Sequence, residues 1–460
     1  MMAFGEGVAA MRRTCFAPVP GLDGSAESGT RHPPRPLRIP VACLPRGGAA
    51  IVALVAAVAA HAGPPVRVNS LVEVRAGAHD RRDVPVVCVL DVPEADLDRV
   101  AIAEVDRPDV AVTCQVDRDA RPRLSWIVAG LTPAGGVRRF RIERMRAPRA
   151  AAPNGVETRP VAGGIEVTCG GRPVLRYNSA HADPPDGIDP RNGRSGFIEP
   201  VWTPAGRVVT DRFPADHPHQ SGVFLALTKT EFEGRKLNFW DLVGGGGRVR
   251  FARLAATGGG PVRGGLTVEH EHVAGDGAAA RPVLRETWTV TVWNIGGPAP
   301  RAWVWDLESS LVCATASPLA VEQYHYGGLA IRGARAWGLD AGRFHTAAGL
   351  DRAAGNHSRP RWCDMSGPAG DGTAAGIAVL GHAANFRFPE PLRIHPTMPY
   401  MVFTPAHLGP WRIEPERPHV SRYRFVAHDG EAVPADLDRL WRDFAVPPEV
   451  VVVAGTGGGH

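Results

Sequence analysis

Short apolar runs with a period of two are the feature that most constrains the fold of this chain. Runs such as VPVVCVLDV, LSWIVAGL and VLRETWTVTVWNIGG are rich in β-branched and aromatic residues and are separated by turn residues. In the last run, Trp288, Val290 and Val292 alternate with threonines. A period of two places successive side chains on opposite faces of a strand. The pattern therefore predicts an all-β protein whose strands pack one face inward.

The runs fall into two groups on either side of the Ala- and Pro-rich stretch APRAAAPNG. Residues 63–150 have the strand spacing of a small Ig-like β-sandwich, and residues 155–455 have the size and strand density of a large two-sheet β-sandwich that carries the site. One short helix is predicted near the end, over PADLDRLWRDFA, because Leu437, Leu440 and Phe444 form one apolar stripe at helical spacing.

The first 62 residues are typical of a leader that includes a signal peptide. Arg46 precedes the apolar run Ala49–Ala60, which closes in an Ala-His-Ala sequence ending at Ala62. The run is too short to span a bilayer as a helix. We therefore expect cleavage after Ala62 and export to the periplasm or the medium, with no stable membrane span. The Arg- and Pro-rich residues before the run also allow a misassigned start.

Charge and cysteine content exclude two classes of protein. The net charge is +5, but after the leader no basic run is interleaved with aromatic residues, so the surface that neutralises nucleic-acid phosphates is missing. Five cysteines follow the leader, without CxxC spacing, which argues against a zinc ribbon or a dense disulfide framework. Their pairing stays open, and a bridge between Cys88 and Cys114 is the one that the strand-like runs suggest.

The stretch DRFPADHPHQSGVF, residues 211–224, concentrates ionisable side chains in a segment with two prolines. The residue before each proline is held extended, so we predict a stiff segment in which His217 and His219 project to the same side. Such a pair suits a divalent metal ion, or a proton-transfer group beside a ligand, with Asp216 as a further ligand-binding group. The alternative is a pair of surface histidines in a turn. The apolar GVFLAL that follows favours a site.

Two further segments combine histidine with tyrosine. In QYHYGGLAIRG, His325 lies between Tyr324 and Tyr326, and in RIHPTMPYMVFTPAH, His395 precedes Tyr400. The two glycines after Tyr326 allow a close approach of the backbone, and aromatic rings beside polar groups are typical of sugar sites. A buried structural histidine is the alternative interpretation of His325.

The segment RWCDMSGP places Arg361, Trp362 and Asp364 together. We expect the arginine and the tryptophan to contact the ligand and the aspartate to be catalytic. Cys363 is a weaker candidate, because a cysteine nucleophile needs an activating base that the sequence does not place beside it.

Several charged residues occur within strand-like runs. His270 and His272 share one face of GLTVEHEHVAG, a geometry that can bind metal, although alternating charged residues usually mark a solvated face, and we favour that interpretation. Glu286, Asp306 and Glu308 lie in aromatic-rich strands. A pair of carboxylates facing a cleft is the usual machinery of glycoside hydrolysis.

Five motifs, VVTDRFPADHPHQSGVFLAL, HYGGLAIRG, RWCDMSGP, RIHPTMPYMVFTPA and YRFVAHDG, occur in the order in which they resemble the bacterial PmoA family, labelled "methane oxygenase", over residues 155–455. That family's first motif reads DHPHH followed by Arg-Gly, whereas this chain has Gln220 and Ser221. The resemblance implies a sugar-related exported protein with a sandwich like that of galactose mutarotases. The label itself fits poorly, since a particulate methane monooxygenase subunit crosses the membrane and this chain has no spanning run after the leader.

Three functions remain in competition at this level. The first is a carbohydrate-active enzyme of hydrolase, lyase or epimerase type that acts on a small sugar or an oligosaccharide; the second is a non-catalytic glycan-binding protein; the third is a metal-dependent oxidase. In the first, the catalytic candidates are His217, His219, His325 and Asp364. The substrate-binding candidates are Asp216, Tyr324, Tyr326, Arg361, Trp362 and His395. A divalent metal ion would be bound by His217 and His219.

Overall fold

The computed structural model describes residues 65–118, 121–147, 154–297, 299–338 and 340–453. The predicted leader and its cleavage position after Ala62 lie outside these ranges. Export therefore stays a prediction, which N-terminal sequencing of the secreted protein would check. Among the described residues, no helix is both long and apolar enough to cross a membrane.

The first six strands and the last one form two small sheets. Their bounds are β1 Leu71–Arg75, β2 Arg81–Val89, β3 Val100–Glu104, β4 Cys114–Asp117, β5 Arg123–Thr132, β6 Val137–Arg144 and β27 Glu449–Val453. The strand orders are β27-β1-β6-β3 and β2-β5-β4. The inward residues of both sheets, such as Val72, Val86 and Trp126, share one apolar core. These two sheets form the small N-terminal β-sandwich.

The remaining strands follow in chain order. They are β7 Val156–Val161, β8 Gly164–Cys169, β9 Arg172–Asn178, β10 Phe197–Val201, β11 Val223–Ala226, β12 Thr230–Phe232, β13 Arg235–Leu237, β14 Gly247–Gly258, β15 Arg263–Ala274, β16 Arg281–Trp293, β17 Ala302–Cys313, β18 Leu319–Val321, β19 Gly328–Arg332, β20 Arg343–Thr346, β21 Trp362–Pro368, β22 Ala374–Gly381, β23 Leu392–Ile394, β24 Tyr400–Phe403, β25 Trp411–Ile413 and β26 His419–Asp429. The α-helices are α1 Arg352–Gly355 and α2 Pro434–Ala445, and 3-10 helices occupy Glu94–Arg99, Pro190–Asn192, Gly277–Ala279 and Pro405–Leu408.

Two eight-stranded antiparallel sheets make the large sandwich. We call β23-β24-β19-β11-β10-β9-β8-β7 the first sheet and β14-β15-β16-β17-β26-β22-β21-β20 the second sheet. One core contains Leu225 and Ile331 of the first sheet together with Trp288 and Phe425 of the second, so the sheets pack face to face. A four-stranded sheet, β13-β12-β18-β25, adds to this core through residues such as Phe232. The all-β fold class predicted from the sequence is confirmed.

The central strands of the first sheet are covered on both faces. Leu225 and Ile331 face the inter-sheet core, whereas their neighbours Phe224 and Ala330 face a second apolar cluster with Trp240 and Tyr400. Strands β11, β19 and β24 are therefore buried along their whole length. Because strand neighbours point to opposite sides, this second cluster lies on the outer face of the first sheet. The loops that cover it carry the candidate site.

Helix α2 spans the stretch predicted from its apolar stripe. Leu437 and Leu440 are buried against Val426 and Leu380 of the second sheet. On the same helix, buried Asp443 accepts a hydrogen bond from Arg81 of β2, at 3.0 Å. The helix therefore packs between the small and the large sandwich.

The last strand was not predicted. After α2 the chain returns to the small sandwich, where β27 pairs with β1 in the register Val74↔Val450. The division into residues 63–150 and 155–455 stays a prediction, and β27 shows that the chain segment after α2 contributes a strand to the small sandwich. Sequence patterns do not reveal this pairing because strand partners can be far apart along the chain.

Candidate functional site

The segment Asp211–Ser221, here called the DHPH loop, is folded as two consecutive turns. The N–H of His217 donates to the carbonyl of Pro214 at 3.1 Å, and the N–H of Gln220 donates to the carbonyl of His217 at 2.9 Å. The extended conformation expected for the whole segment is therefore wrong, because residues 215–216 and 218–219 form the corners of the two turns, with His217 between them. The turns nevertheless bring the imidazoles of His217 and His219 together, with ring centres 5.6 Å apart.

His395 completes a cluster of three imidazoles. Its ring lies 5.7 Å from that of His217, although the two residues come from different loops. The Nδ1 of His395 accepts hydrogen bonds from the backbone N–H groups of Thr397 and Met398, both at 3.2 Å. An acceptor nitrogen carries no proton, so the proton of the neutral ring is on Nε2. His395 therefore presents an N–H donor to its surroundings.

Two of the three imidazoles are held neutral. Burial lowers the pKa of His219 to about 4, and the neighbouring His217 and Arg194 add to this effect. Burial also lowers the pKa of His395 to about 4, with Arg393 as the next cause. Both groups are therefore uncharged at neutral pH and able to bind a ligand through hydrogen bonds.

His217 differs from these two rings because it is more exposed and has a carboxylate behind it. Its side chain is 39% exposed, and its Nδ1 lies 3.7 Å from Oδ2 of Asp216. The Nδ1 itself is buried and makes no hydrogen bond with a described residue. Nε2 is thus the nitrogen that a ligand can reach. An imidazole with a carboxylate on one side and an accessible nitrogen on the other is the arrangement of a general base.

A cleft of about 380 Å³ is lined by chain neighbours of these histidines, such as Asp216 and Thr397, although the three imidazoles themselves are not among its lining residues. Its lining residues are Pro214, Ala215, Asp216, Arg332, Arg335, Gly338, Thr397, Met398 and Pro399. Apolar rings and charged groups thus converge on one concave surface, as in small-molecule sites.

A larger groove of about 610 Å³ is lined by Arg352 and Pro396, among other residues. The cation at its centre, Arg352, donates to the carbonyls of His395, Met398 and Gly342. Since these bonds occupy the guanidinium, the groove offers fewer free polar groups. We therefore assign the candidate site to the smaller cleft.

His325 lies on the same outer face, two aromatic rings away from the three imidazoles. The ring contacts run from His219 to Trp240 at 6.0 Å, from Trp240 to Tyr326 at 5.6 Å and from Tyr326 to His325 at 4.7 Å. Tyr324 lies beside His325, with ring centres 4.2 Å apart. Tyr324, His325 and Tyr326 therefore lie on the face of the first sheet that carries the DHPH loop, and their role in binding a substrate stays a prediction.

Two further histidines form a second group together with His325. The ring of His357 lies 6.4 Å from it, and His407 lies 4.4 Å from His357. Burial and the charge of Arg393 lower the pKa of His325. This group is separate from the cleft.

Asp364, Trp362 and Arg361 are not part of this site. They lie at and just before β21 of the second sheet, where Asp364 accepts a hydrogen bond from Nε2 of buried His428 at 2.9 Å. Trp362 and Arg361 both donate to Asp438 of α2. The predicted placement of these three residues beside the DHPH loop is therefore wrong. In the second sheet, Asp364 contacts His428 of β26, and Arg361 and Trp362 contact helix α2, which packs on that sheet.

The histidines of β15 are also placed differently from the prediction. His270 and His272 are completely buried, whereas their neighbours Glu269 and Glu271 form ion pairs with arginines on the outer face. The solvated face predicted for the two histidines is wrong. Their side of β15 faces the core between the two large sheets, and the adjacent strand supplies Glu286 as a partner.

Glu286 is the centre of a buried polar network. It accepts hydrogen bonds from Ser309 Oγ and Trp288 Nε1, both at 2.6 Å, and from His272 at 2.9 Å. Nδ1 of His270 lies 3.4 Å away. Burial alone would raise the pKa of Glu286, but the hydrogen bonds of His270 and His272 hold it well below its usual range. The carboxylate is enclosed in the core and does not face a cleft.

The other two strand carboxylates also have partners. Asp306 accepts from Arg424 at 2.7 Å, and Glu308 accepts from Arg422 at 2.7 Å. Neither lines the cleft. The pair of carboxylates considered for glycoside hydrolysis is therefore not assembled from Glu286, Asp306 and Glu308.

The model described as "Family of unknown function (DUF6807)" matches residues 164–442. The chain belongs to the DUF6807 family. The resemblance to the PmoA family drawn from the sequence is therefore wrong, and the motifs that suggested it lie within the DUF6807 match or overlap it.

Other comparisons add little to the family assignment. No curated protein matches this DUF6807 chain by sequence. Among solved structures, the crystal structure of a heparan sulfate lyase HepC mutant from Pedobacter heparinus is similar to it at 10% sequence identity and a TM-score of 0.28. The similarity covers 63% of this chain and 38% of that one. A TM-score this low carries no argument about activity.

Three residues of the candidate site were not identified from the sequence. Trp240, Arg332 and Arg194 are buried around the DHPH loop. Arg332 could be noticed in the sequence, because it directly follows the apolar run GLAI. This run forms a fully buried strand. Trp240 and Arg194 lie in irregular segments without a repeating pattern, so nothing in the sequence marks them.

Metal binding by this site has no geometric support. Among the residues that the structure describes, no group of three or more His, Cys, Asp or Glu side chains is arranged to hold a metal ion. Binding of a divalent metal ion by His217 and His219 stays a prediction. The EDTA condition of the exchange experiment tests it.

No cysteine takes part in the site. Cys88 has a free thiol, so the bridge to Cys114 suggested by the sequence is not formed, and burial raises the pKa of Cys88 to about 12. Cys363 is fully buried. Burial and the adjacent Asp364 raise the pKa of its thiol well above the usual range.

Cys363 is expected to resist thiol reagents in the folded protein. A buried, protonated thiol is a poor nucleophile. Mass spectrometry of peptides after a short maleimide pulse should find Cys363 unlabelled without denaturant and labelled in urea. Cys313, which is partly exposed, provides the comparison under native conditions. Native labelling of Cys363 as fast as that of a small free thiol would contradict its inert role.

Proposed function

We propose that this DUF6807 protein is a carbohydrate-active enzyme that transfers a proton to or from a sugar bound in the cleft beside the DHPH loop. The observation that carries the proposal is the convergence of His217, His219 and His395 next to a concave surface. The three imidazoles come from two separate loops, and the rings of His219 and His395 each lie within 6 Å of the ring of His217. Structural packing alone rarely leaves such groups half-exposed beside a cleft.

His217 is the general base of the proposed reaction. Asp216 lies against its Nδ1 and stabilises the imidazolium that forms when Nε2 accepts a proton from the sugar. The neutral His395 donates the proton on its Nε2 to the opposite side of the reacting group, or holds a hydroxyl. This division of roles follows from the different environments of the rings.

The lining of the cleft supports a sugar as the ligand. Pro214, Met398 and Pro399 offer apolar contacts to the C–H face of a ring, and Asp216 and Arg332 can bind hydroxyl groups at its edge. Lyase or epimerase chemistry is better supported than hydrolysis by two carboxylates. Of the two aspartates of the loop, Asp211 is buried and paired with Arg335, so only Asp216 is available.

Deuterium exchange tests the proposal directly. The purified protein is incubated in D₂O with neutral and acidic monosaccharides and disaccharides, with and without EDTA, and each sugar is followed by NMR. We expect protein-dependent incorporation of deuterium at a carbon, or a new product, for at least one sugar, and we expect it to survive chelation. A base that removes a proton from carbon exchanges it with solvent.

Three outcomes would contradict this function. A thermal shift with a sugar that shows neither exchange nor product would support a non-catalytic glycan-binding protein. Loss of activity in EDTA with recovery on adding a divalent metal would support a metal-dependent enzyme. No response to any sugar would remove the carbohydrate assignment.

A further inference from the structure

Two arginines are buried beneath the DHPH loop, and among the described residues neither forms a close ion pair with a carboxylate. Arg194 is 2% exposed and Arg332 is 4% exposed. Nη1 of Arg194 donates to the carbonyl of His219 at 3.1 Å, and its guanidinium stacks on the ring of Phe224. No carboxylate of the described residues forms an ion pair with it. Its Nε has no hydrogen-bond partner.

Arg332 is only partly satisfied. Nη1 donates to Oε1 of Gln220 at 3.0 Å and contacts the sulfur of Met398 at 3.2 Å, while Nε has no hydrogen-bond partner among the described residues. Its one carboxylate, Asp216, is 3.4 Å away and 47% exposed. This long, single contact contrasts with the paired bonds by which Arg335 holds Asp211 on the same loop.

Tyr400 adds a third unsatisfied group at the same place. It lies directly opposite Arg332 in the register of β19 and β24, and both side chains are on the outer face of the first sheet. The phenol is completely buried, yet its hydroxyl has no partner among the described residues. The two guanidiniums both act on this phenol electrostatically.

Burial of these guanidiniums and of the phenol hydroxyl is unfavourable unless another group supplies the missing negative charge and hydrogen bonds. A buried charge without a counter-charge costs several kcal/mol, and an unpaired buried hydroxyl costs about 1–3 kcal/mol. Such groups occur at functional sites, where a ligand, an ion or an ordered water supplies the missing partner. Since Arg332 lines the cleft, a ligand in the cleft can reach its guanidinium and supply the missing partner.

We propose that the ligand of the cleft is an acidic sugar whose carboxylate binds Arg332, while Asp216 stays beside His217. This inference rests on the proposed function, because it assumes that a sugar occupies the cleft. A planar guanidinium forms two parallel hydrogen bonds with a carboxylate, which neutral hydroxyl groups cannot match. Arg194 lies behind the site and strengthens its positive potential. The carboxylate also places the sugar ring beside His217.

Matched pairs of sugars separate this inference from the proposed function. Isothermal titration at constant ionic strength compares D-glucuronate with D-glucose and D-galacturonate with D-galactose, with D-glucose 6-sulfate as a second anion. We expect the acid of at least one pair to bind about 10- to 100-fold more tightly than its neutral partner, the range of one hydrogen-bonded charge pair. Equal affinities within each pair would overturn the acidic ligand and leave the proposed function intact. Preference for the sulfate would overturn the carboxylate, and binding of no sugar would remove both proposals.

Variants of Arg332 provide the second readout. Arg332→Gln should remove the preference for the acid, and Arg332→Lys, which keeps the charge without the fork, should restore part of it. Without ligand, the melting temperature of Arg332→Gln should change little, because the ion pair that is lost is one 3.4 Å contact with half-exposed Asp216. A purely structural role for Arg332 predicts a lower melting temperature and an unchanged preference, which would overturn the inference. Arg250→Gln is the control, since Arg250 forms its ion pair with Glu271 on the outer face of the second sheet.

Discussion

Replacing His217 with glutamine is expected to lower turnover by about 100- to 10,000-fold, the usual contribution of a positioned acid–base group. Glutamine keeps a polar side chain of similar length but cannot accept a proton. The melting temperature should change little, because the side chain is 39% exposed and its buried Nδ1 makes no hydrogen bond with a described residue. Initial rates and a thermal melt on the same preparation measure both quantities.

Two further variants make the His217 result specific. Asp216→Asn removes the carboxylate beside Nδ1 and should lower turnover less than His217→Gln, since the base itself remains. His79→Gln changes a partly buried histidine in the turn between β1 and β2 of the small sandwich and should have no effect on turnover. Full activity of His217→Gln, or an equal loss in His79→Gln, would remove His217 from the mechanism.

Replacing Glu286 with alanine is expected to lower the free energy of unfolding by about 3–5 kcal/mol, the cost of removing one partner of a buried charged network. Ser309, Trp288 and His272 would lose their common acceptor inside the core. If the alanine variant does not fold, Glu286→Gln keeps the volume and one acceptor and should cost less, about 1–3 kcal/mol. Urea unfolding followed by tryptophan fluorescence measures both.

A surface glutamate on the neighbouring strand is the matched control. Glu271 pairs with Arg250 at 2.8 Å on the outer face of β15, where an exposed ion pair contributes about 0–1 kcal/mol. Glu271→Gln should therefore be nearly neutral. Equal effects of the two substitutions would contradict a stabilising role for the Glu286 network.

The same network predicts how stability depends on acid. The pKa of Glu286 is lower in the folded protein than in the unfolded chain, because burial, which raises it, is outweighed by the hydrogen bonds of His270 and His272. A depressed pKa contributes stability that is complete above the unfolded value of about 4.3 and is lost as the pH falls below it. Unfolding midpoints of the native protein should therefore decrease below that pH more steeply than those of Glu286→Gln.

Local patterns predicted most of the secondary structure. The period-two runs are strands, and the stripe of Leu437, Leu440 and Phe444 is helix α2. These patterns work because a side chain's face depends only on its position within its own element. The same reasoning failed for β15, where His270 and His272 look like a solvated face. Their burial depends on Glu286 of the next strand, which no pattern within β15 could reveal.

The site was predicted only in part, for a related reason. The DHPH loop was recognised from its composition, and His395 was recognised from the tyrosine and prolines around it. Asp364 was grouped with them from its own motif, yet it lies in the second sheet and binds His428. Proximity between loops depends on strand order, and the order in which eight strands assemble is not written in the motifs themselves.

The sequence by itself determined the all-β class, the C-terminal helix and the residue types of the proposed proton-transfer group, since each follows from local spacing and side-chain chemistry. Only the tertiary structure decided which histidines meet and that Arg332 faces Tyr400 across two strands. It also decided that, among the described residues, buried Arg194 has no ion pair and buried Arg332 has a single long one. The physical reason is that burial and charge compensation are properties of the assembled environment. The same arginine that looks like an ordinary strand end in the sequence becomes, once buried beside a cleft, the group that selects the ligand we propose.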